Sequence, residues 1–149
     1  MAAPTAQTGS WTDAFPAPCT TAPTISREEA LAHLSSPDLL VVDVRRTDYE
    51  GGAIKGSLNL PAHSFYMNRA ALYHLCSRAG IKRVAFYCGS SNGRGPRCSG
   101  WFADYITTKH DDQLTSLTLD GGIKGWVKGG QPYTQQMEGY DPEYWKQFS

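Results

Sequence analysis

The chain has 149 residues, 40% of them hydrophobic, with 14 basic and 14 acidic side chains. That length supports one compact domain with a conventional core and excludes a tandem enzyme. A neutral total argues against a nucleic-acid binder, and no apolar run approaches the roughly 20 residues of a membrane span.

Residues 1–23 are rich in Ala, Pro and Thr and read as an N-terminal arm, pinned to the domain where Trp11 and Phe15 fall. No Lys or Arg precedes Arg27, so neither a secretory nor a transit peptide is expected. The expected compartment is the cytosol, with the nucleus as an alternative. Ser26, with Glu29 three residues on, forms a capping box ahead of Ala30, Leu31 and Leu34 and predicts a short helix. Residues 39–44 are apolar and β-branched around one Asp, the pattern of a strand buried on both faces. Residues 57–60 read as a short strand closed by Pro61. Ser64 is expected to cap a helix that turns Phe65, Leu72, Leu75 and Ala79 inward and ends at Gly80. Residues 83–87 form another buried-strand run. Pro96 then suits the first position of a helix whose apolar face is Trp101, Phe102, Tyr105 and Ile106.

Residues 116–119 read as a further strand, followed by Asp120-Gly121-Gly122 and a helical turn over 123–127. This alternation predicts an α/β domain, a mostly parallel central sheet flanked by helices, with ligands at the carboxyl ends of the strands. The domain is expected to span 24–132. The aromatic tail 133–149, with Tyr133, Tyr140, Tyr144, Trp145 and Phe148, is expected to pack back on it.

The neutral total hides a segregated charge pattern. Residues 1–50 sum to −4 and residues 104–149 to −3, while the +7 between them contains no acid at all. Its basic residues are dispersed, so a small oxyanion is a better partner than a polyanion. Cys19, Cys76, Cys88 and Cys98 include no C-x-x-C pair, and the four histidines show no metal-ligand spacing. No metal is expected, and the thiols are read as free.

Inside the basic block, Cys88 closes the strand run 83–87 and is followed by Gly89, Ser90, Ser91, Asn92, Gly93, Arg94, Gly95 and Pro96. A strand, a turn of small residues and a helix N-terminus bring several backbone N–H groups around one point, a ready anion cradle. A cysteine nucleophile attacks as the thiolate, and an exposed helix terminus contributes only about 0.3–1 kcal/mol to a nearby negative charge. Arg94 is therefore expected to contribute, holding a tetrahedral oxyanion bidentately as well. Arg97 beside the loop reads equally as an anion guide or a solvated surface arginine. Asp43 and Arg45 read as a structural ion pair bracing the neighbouring loop.

These residues resemble the rhodanese-like domains, in the branch containing cell-cycle dual-specificity phosphatases and eukaryotic arsenate reductases. The resemblance runs from about Ile25 to Gln131. It is carried by Val41-Val42-Asp43-Val44-Arg45 through Tyr49, Gly52, Ile54, Gly56, Ser57, Asn59 and Pro61, and by Asp120-Gly121-Gly122 with Gly125-Trp126. Cys88, five residues and Arg94 resemble the loop of the phosphatases and arsenate reductases, which is one residue longer than that of typical sulfurtransferases. The family's histidine before the nucleophile is Tyr87 here, that of its first signature is Ala53, and the acid after the phosphatase nucleophile is Gly89.

The resemblance implies a cysteine-dependent enzyme acting on phosphate or arsenate, with Cys88 and Arg94 catalytic and residues 89–94 binding the oxyanion. A general acid must come from outside the acid-free block, with Asp120 at a strand end as the candidate. Cys98, about one turn into the helix, is the candidate resolving cysteine, against the plainer reading of a packed helix thiol. No cofactor is implied beyond glutathione and glutaredoxin as electron donors for an arsenate reductase. The chain is expected to act as a monomer. The alternatives are a thiosulfate-type sulfurtransferase passing a Cys88 persulfide and a non-catalytic binding module.

Overall fold

The computed structural model describes residues 11–149; residues 1–10 of the predicted arm lie outside the described residues. Strands β1 (Thr24–Ile25), β2 (Leu39–Asp43), β4 (Leu58–Asn59), β5 (Arg83–Tyr87) and β6 (Thr115–Leu119) form a parallel sheet in the order β1-β6-β5-β2-β4. A separate antiparallel ribbon pairs β3 (Ala53–Ile54) with β7 (Met137–Glu138). The helices are α1 (Arg27–Ala32), α2 (Ala62–Phe65), α3 (Arg69–Ala79), α4 (Arg94–Thr108), α5 (Gly122–Lys128), α6 (Gln131–Thr134) and α7 (Pro142–Trp145). No described helix is long and apolar enough to cross a membrane.

The sheet is covered on both faces because its strands are apolar at successive positions, and successive side chains point opposite ways. Val41, Ala85, Tyr87 and Leu117 pack with Ile123, Trp126 and Trp145 on one side. Val42, Val84 and Phe86 pack with Phe65, Leu72, Trp101 and Phe102 on the other. After β2 the chain runs outward to β4 and then returns to β5 on the opposite side of β2. That reversal makes the carboxyl ends of β2 and β5 the switch point where ligands of open α/β sheets sit.

Several local expectations change in detail. Ser26 caps α1 by accepting from Glu29 N–H at 3.1 Å, but the Glu29 carboxylate pairs with Arg83 at 3.1 Å instead of closing the box. Ser64 caps nothing: its hydroxyl donates to Pro61 O, and a 3-10 turn at Tyr66–Asn68 separates α2 from α3. Restarting at Arg69 puts Leu72 and Cys76 on the inward face, four residues apart, and leaves Leu75 48% exposed. Pro96 is the third residue of α4 rather than the first. It is tolerated because first-turn N–H groups lack intrahelical acceptors.

The segment around Phe15 and Pro16 and the C-terminal tail both pack on the domain. Phe15 stacks on Tyr66 at 4.5 Å between ring centroids, and Trp101 Nε1 donates to Pro16 O at 2.8 Å. In the tail, Trp145 is 7% exposed and its Nε1 donates to Gly51 O at 2.8 Å.

One buried charge pair shapes the loop that follows β2. Asp43 is 0% and Arg45 1% exposed, and Arg45 Nη2 bonds Asp43 Oδ2 at 2.7 Å. The remaining guanidinium donors reach Glu50 O at 3.0 Å and Gly52 O at 2.8 Å. The 46–52 loop is thus tied to one cation at Glu50 and Gly52. Arg45→Ala would leave a buried carboxylate unpaired and is expected to cost about 3–5 kcal/mol in urea-unfolding free energy, with faster amide exchange over 46–52.

Candidate active site

The site is built where β5 ends. Tyr87, the last strand residue, is fully buried. Its hydroxyl accepts from Ile54 N–H at 3.1 Å and lies 3.1 Å from Ser57 Oγ, so it ties β5 to the β3 ribbon. Burial pushes this phenol well above its usual range. The next residue, Cys88, is 3% exposed, and its Sγ accepts from Gly95 N–H at 3.3 Å. That donor belongs to the first turn of the 15-residue α4, so the sulfur lies at the N-terminal end of that helix.

Between them the loop folds tightly. Ser91 takes a left-handed φ of 61°, is buried, and its Oγ has no hydrogen-bond partner. A Cβ on Gly95 would sit 3.4 Å from Ser91 Oγ and 3.6 Å from Cys88 Sγ, so hydroxyl and thiol border the same small space. The backbone N–H groups of residues 89–93 donate to no protein acceptor among the described residues. From the other side, Ile123 N–H and Lys124 N–H donate to Cys88 O and Gly89 O, both at 3.0 Å. That approach requires glycine before them: Gly122 has φ +61°, and a Cβ there would lie 2.6 Å from both carbonyl oxygens.

The loop residues do not all face one way. Gly89, Ser90 and Arg94 border a cleft of about 290 Å³ together with Asp48, Lys124 and the tail residues Tyr144, Trp145 and Phe148. Asn92 and Gly93 border a different depression, with Thr20, Thr21 and Arg97. Cys88 itself is not a wall of the cleft, which opens over Gly89 and Ser90.

Arg94 does not wait with free donors. Its Nη1 and Nη2 grip both oxygens of Asp48 at 2.7 and 2.6 Å. The Arg94 guanidinium holds the Asp48 carboxyl at about 2, below the usual carboxylate range, and Asp48 in turn raises Arg94. The acid-free block of the sequence is therefore not acid-free in space. Asp48 lies just ahead of that block and reaches the site only because Arg45 curls residues 46–52 over the ends of β2 and β5. By contrast, the structure does not bring Asp120 into the cleft: it is exposed and outside the lining residues.

Cys98 is 0% exposed in α4, and burial pushes its thiol up; burial likewise raises Cys76 to about 11. All four cysteines are free thiols. No group of three or more His, Cys, Asp and Glu side chains among the described residues is placed to hold a metal. His63 is a further residue that spacing did not mark. Its ring packs on Trp11 at 4.5 Å, its buried Nδ1 is unpartnered, and burial, then Arg46 and Arg94, lower its pKa.

The family profile of the rhodanese-like domain matches residues 26–129, most of the chain. The chain belongs to the rhodanese-like domain family. No curated protein matches the sequence closely enough to count as a relative. Among solved structures, the As-Sb reductase from Leishmania major superposes with a TM-score of 0.72 at 23% identity, covering 82% of this chain and 89% of that one. Yeast Ygr203w, a protein tyrosine phosphatase of the rhodanese family, gives 0.70 at 24% identity, covering 85% and 98%. A second structure of Saccharomyces cerevisiae Ygr203w, a homolog of single-domain rhodanese and the Cdc25 phosphatase catalytic domain, gives 0.68 at 22%, covering 91% and 95%. At these identities the likeness is one of fold.

Two outcomes follow from the geometry. Gly122→Ala should shift residues 88–89 and destabilise the domain by about 1–3 kcal/mol in thermal or urea unfolding. The depressed Asp48 carboxyl contributes stability above its ordinary value of 3.8 that is lost as pH falls through about 2. The melting-temperature gap between wild type and Asp48→Asn should accordingly be present at pH 7 and close between about pH 4 and pH 2.

Proposed function

We propose that this rhodanese-like domain is a cysteine-dependent enzyme acting on a tetrahedral oxyanion, of the phosphatase or arsenate reductase type. Cys88 is the nucleophile, and Arg94 with the amides of residues 89–93 holds the oxyanion. The observation that carries this reading is the Gly95 N–H bonded to Cys88 Sγ, next to loop amides at 89–93 with no protein acceptor among the described residues. A helix-start N–H on the sulfur and free amides in the loop that follows it are the donors an oxyanion site needs.

In the first step the Cys88 thiolate attacks phosphorus or arsenic, the S–P or S–As bond forms, and the bond to the leaving oxygen breaks. That oxygen departs protonated. A phosphocysteine is then cleared by water, which releases phosphate and restores the thiol. An arsenic adduct needs external thiols to take it to the reduced state. Cys76 and Cys98 are buried, and Cys19 lies on a separate surface with Tyr66 and Trp101. The electrons in that case come from an external thiol, for which the resemblance to arsenate reductases implies glutathione with glutaredoxin. Residues 24–132 form the catalytic unit, and the tail 133–149 supplies one wall of its cleft.

Parallel assays on an aryl phosphate, on arsenate with glutathione and glutaredoxin, and on thiosulfate with cyanide test the reading. Turnover of either oxyanion is expected, with loss of activity in Cys88→Ser. Turnover of thiosulfate alone would make the domain a sulfurtransferase, and turnover of none would make it a binding module. Arg94→Lys keeps the charge but loses the planar fork, and should raise the KM for the oxyanion about tenfold or more.

A further inference from the structure

We propose that Asp48 is a displaceable counter-ion of Arg94: the incoming oxyanion exchanges it, and the released carboxyl becomes the proton donor to the leaving oxygen. This rests on the reading of Cys88 and Arg94 given above and supplies the acid that Asp120 is not placed to be.

The grip of Arg94 on Asp48 uses both terminal nitrogens and both carboxylate oxygens, at 2.7 and 2.6 Å. This is the fork that a phosphate or arsenate would occupy, so Arg94 cannot hold both anions in that manner. The pair is open to exchange, because the side chains of Arg94 and Asp48 remain 26% and 41% exposed. An oxyanion brings more acceptors than a carboxylate. Beyond Arg94 it can engage the unbonded amides of residues 89–93 and the buried, unpartnered Ser91 Oγ. A plain carboxylate ligand has too few oxygens to fill these sites and gains little over Asp48. The counter-ion thereby selects for tetrahedral oxyanions.

Displacement does not carry Asp48 away. Its loop is held at Glu50 O and Gly52 O by Arg45, and Arg46 N–H donates to Asp48 Oδ1 at 3.2 Å. The charged and titratable groups around it are Arg94 from α4, Arg45 and Arg46 from its own loop, His63 from α2 and Lys124 from α5. Losing the Arg94 bonds and gaining a dianion as neighbour both favour the protonated carboxyl, so anion binding takes up a proton. As Cys88 Sγ bonds to phosphorus and the phosphorus–oxygen bond breaks, that proton passes to the leaving oxygen. The ionised Asp48 pairs with Arg94 again when product leaves.

The test is calorimetric titration of the reduced protein with inorganic phosphate, in buffers of different ionisation enthalpy, together with turnover of aryl phosphates with good and poor leaving groups. For the wild type, binding with net proton uptake is expected. Asp48→Asn should bind phosphate about tenfold more tightly or better, without the uptake. It should lose about 10²-fold in kcat on poor leaving groups and little on good ones. Asp48→Ala gives the same comparison with no amide left to bond Arg94, and circular dichroism checks that both variants fold. Phosphate affinity and proton uptake equal to wild type in both variants would overturn the counter-ion while leaving the oxyanion reading intact. Failure of wild type and both variants to bind phosphate or turn over any oxyanion, with thiosulfate turned over, would remove the oxyanion reading and this proposal with it.

Discussion

An arginine side chain that is 1% exposed carries its charge into the interior and must be compensated there, and Arg45 is compensated by gathering backbone around itself. Asp43 neutralises it, and the carbonyls of Glu50 and Gly52 complete its shell. Asn59 fastens the same corner from the next strand by donating to Asp43 O and Arg45 O, both at 3.0 Å. The consequence reaches beyond the pair. Gly51, held in that curl, receives the Trp145 indole N–H, so the tail is seated by the same loop. Asp48 is carried out to Arg94. Remove the buried cation and the cleft loses its acid and one of its walls together.

The cleft is best understood as a balance of charges contributed from distant parts of the chain. Arg94 comes from the start of α4, Lys124 from α5 and Asp48 from the loop after β2. The loop after β2 and the starts of α4 and α5 all lie at the carboxyl edge of the parallel sheet, which is why side chains far apart in sequence meet there. The loop amides add positive potential without adding a titratable group. Under the proposed function, this positively biased concavity attracts an oxyanion, and the Arg94–Asp48 pair makes it compete.

Much of the fold was legible in the residues. Strand runs at 39–44, 83–87 and 116–119 match β2, β5 and β6 within a residue at each end, because strands buried on both faces are uninterrupted apolar runs. The Gly80 stop holds, with φ 75° at the helix end. The phase of α3 was not legible. A 3-10 turn resets it at Tyr66–Asn68, and no periodicity argument carries across such a reset. The β3–β7 ribbon joins two-residue segments more than 80 positions apart, too short to leave a pattern.

The same division applies to the site. Local sequence by itself determined the Cys88 to Gly95 turn, since a buried strand followed by small residues and a helix start can close only as a tight amide-lined loop. It also determined the Asp43–Arg45 pair, whose members are two residues apart on one strand end. Only the tertiary structure decided which acid stands at the cleft. In the linear sequence Asp120, at a strand end beside Gly121 and Gly122, is the more prominent acid, and nothing marks Asp48. The difference is that Asp48 hangs from a loop curled around a buried arginine, and such long-range curvature is a property of packed backbone, not of spacing.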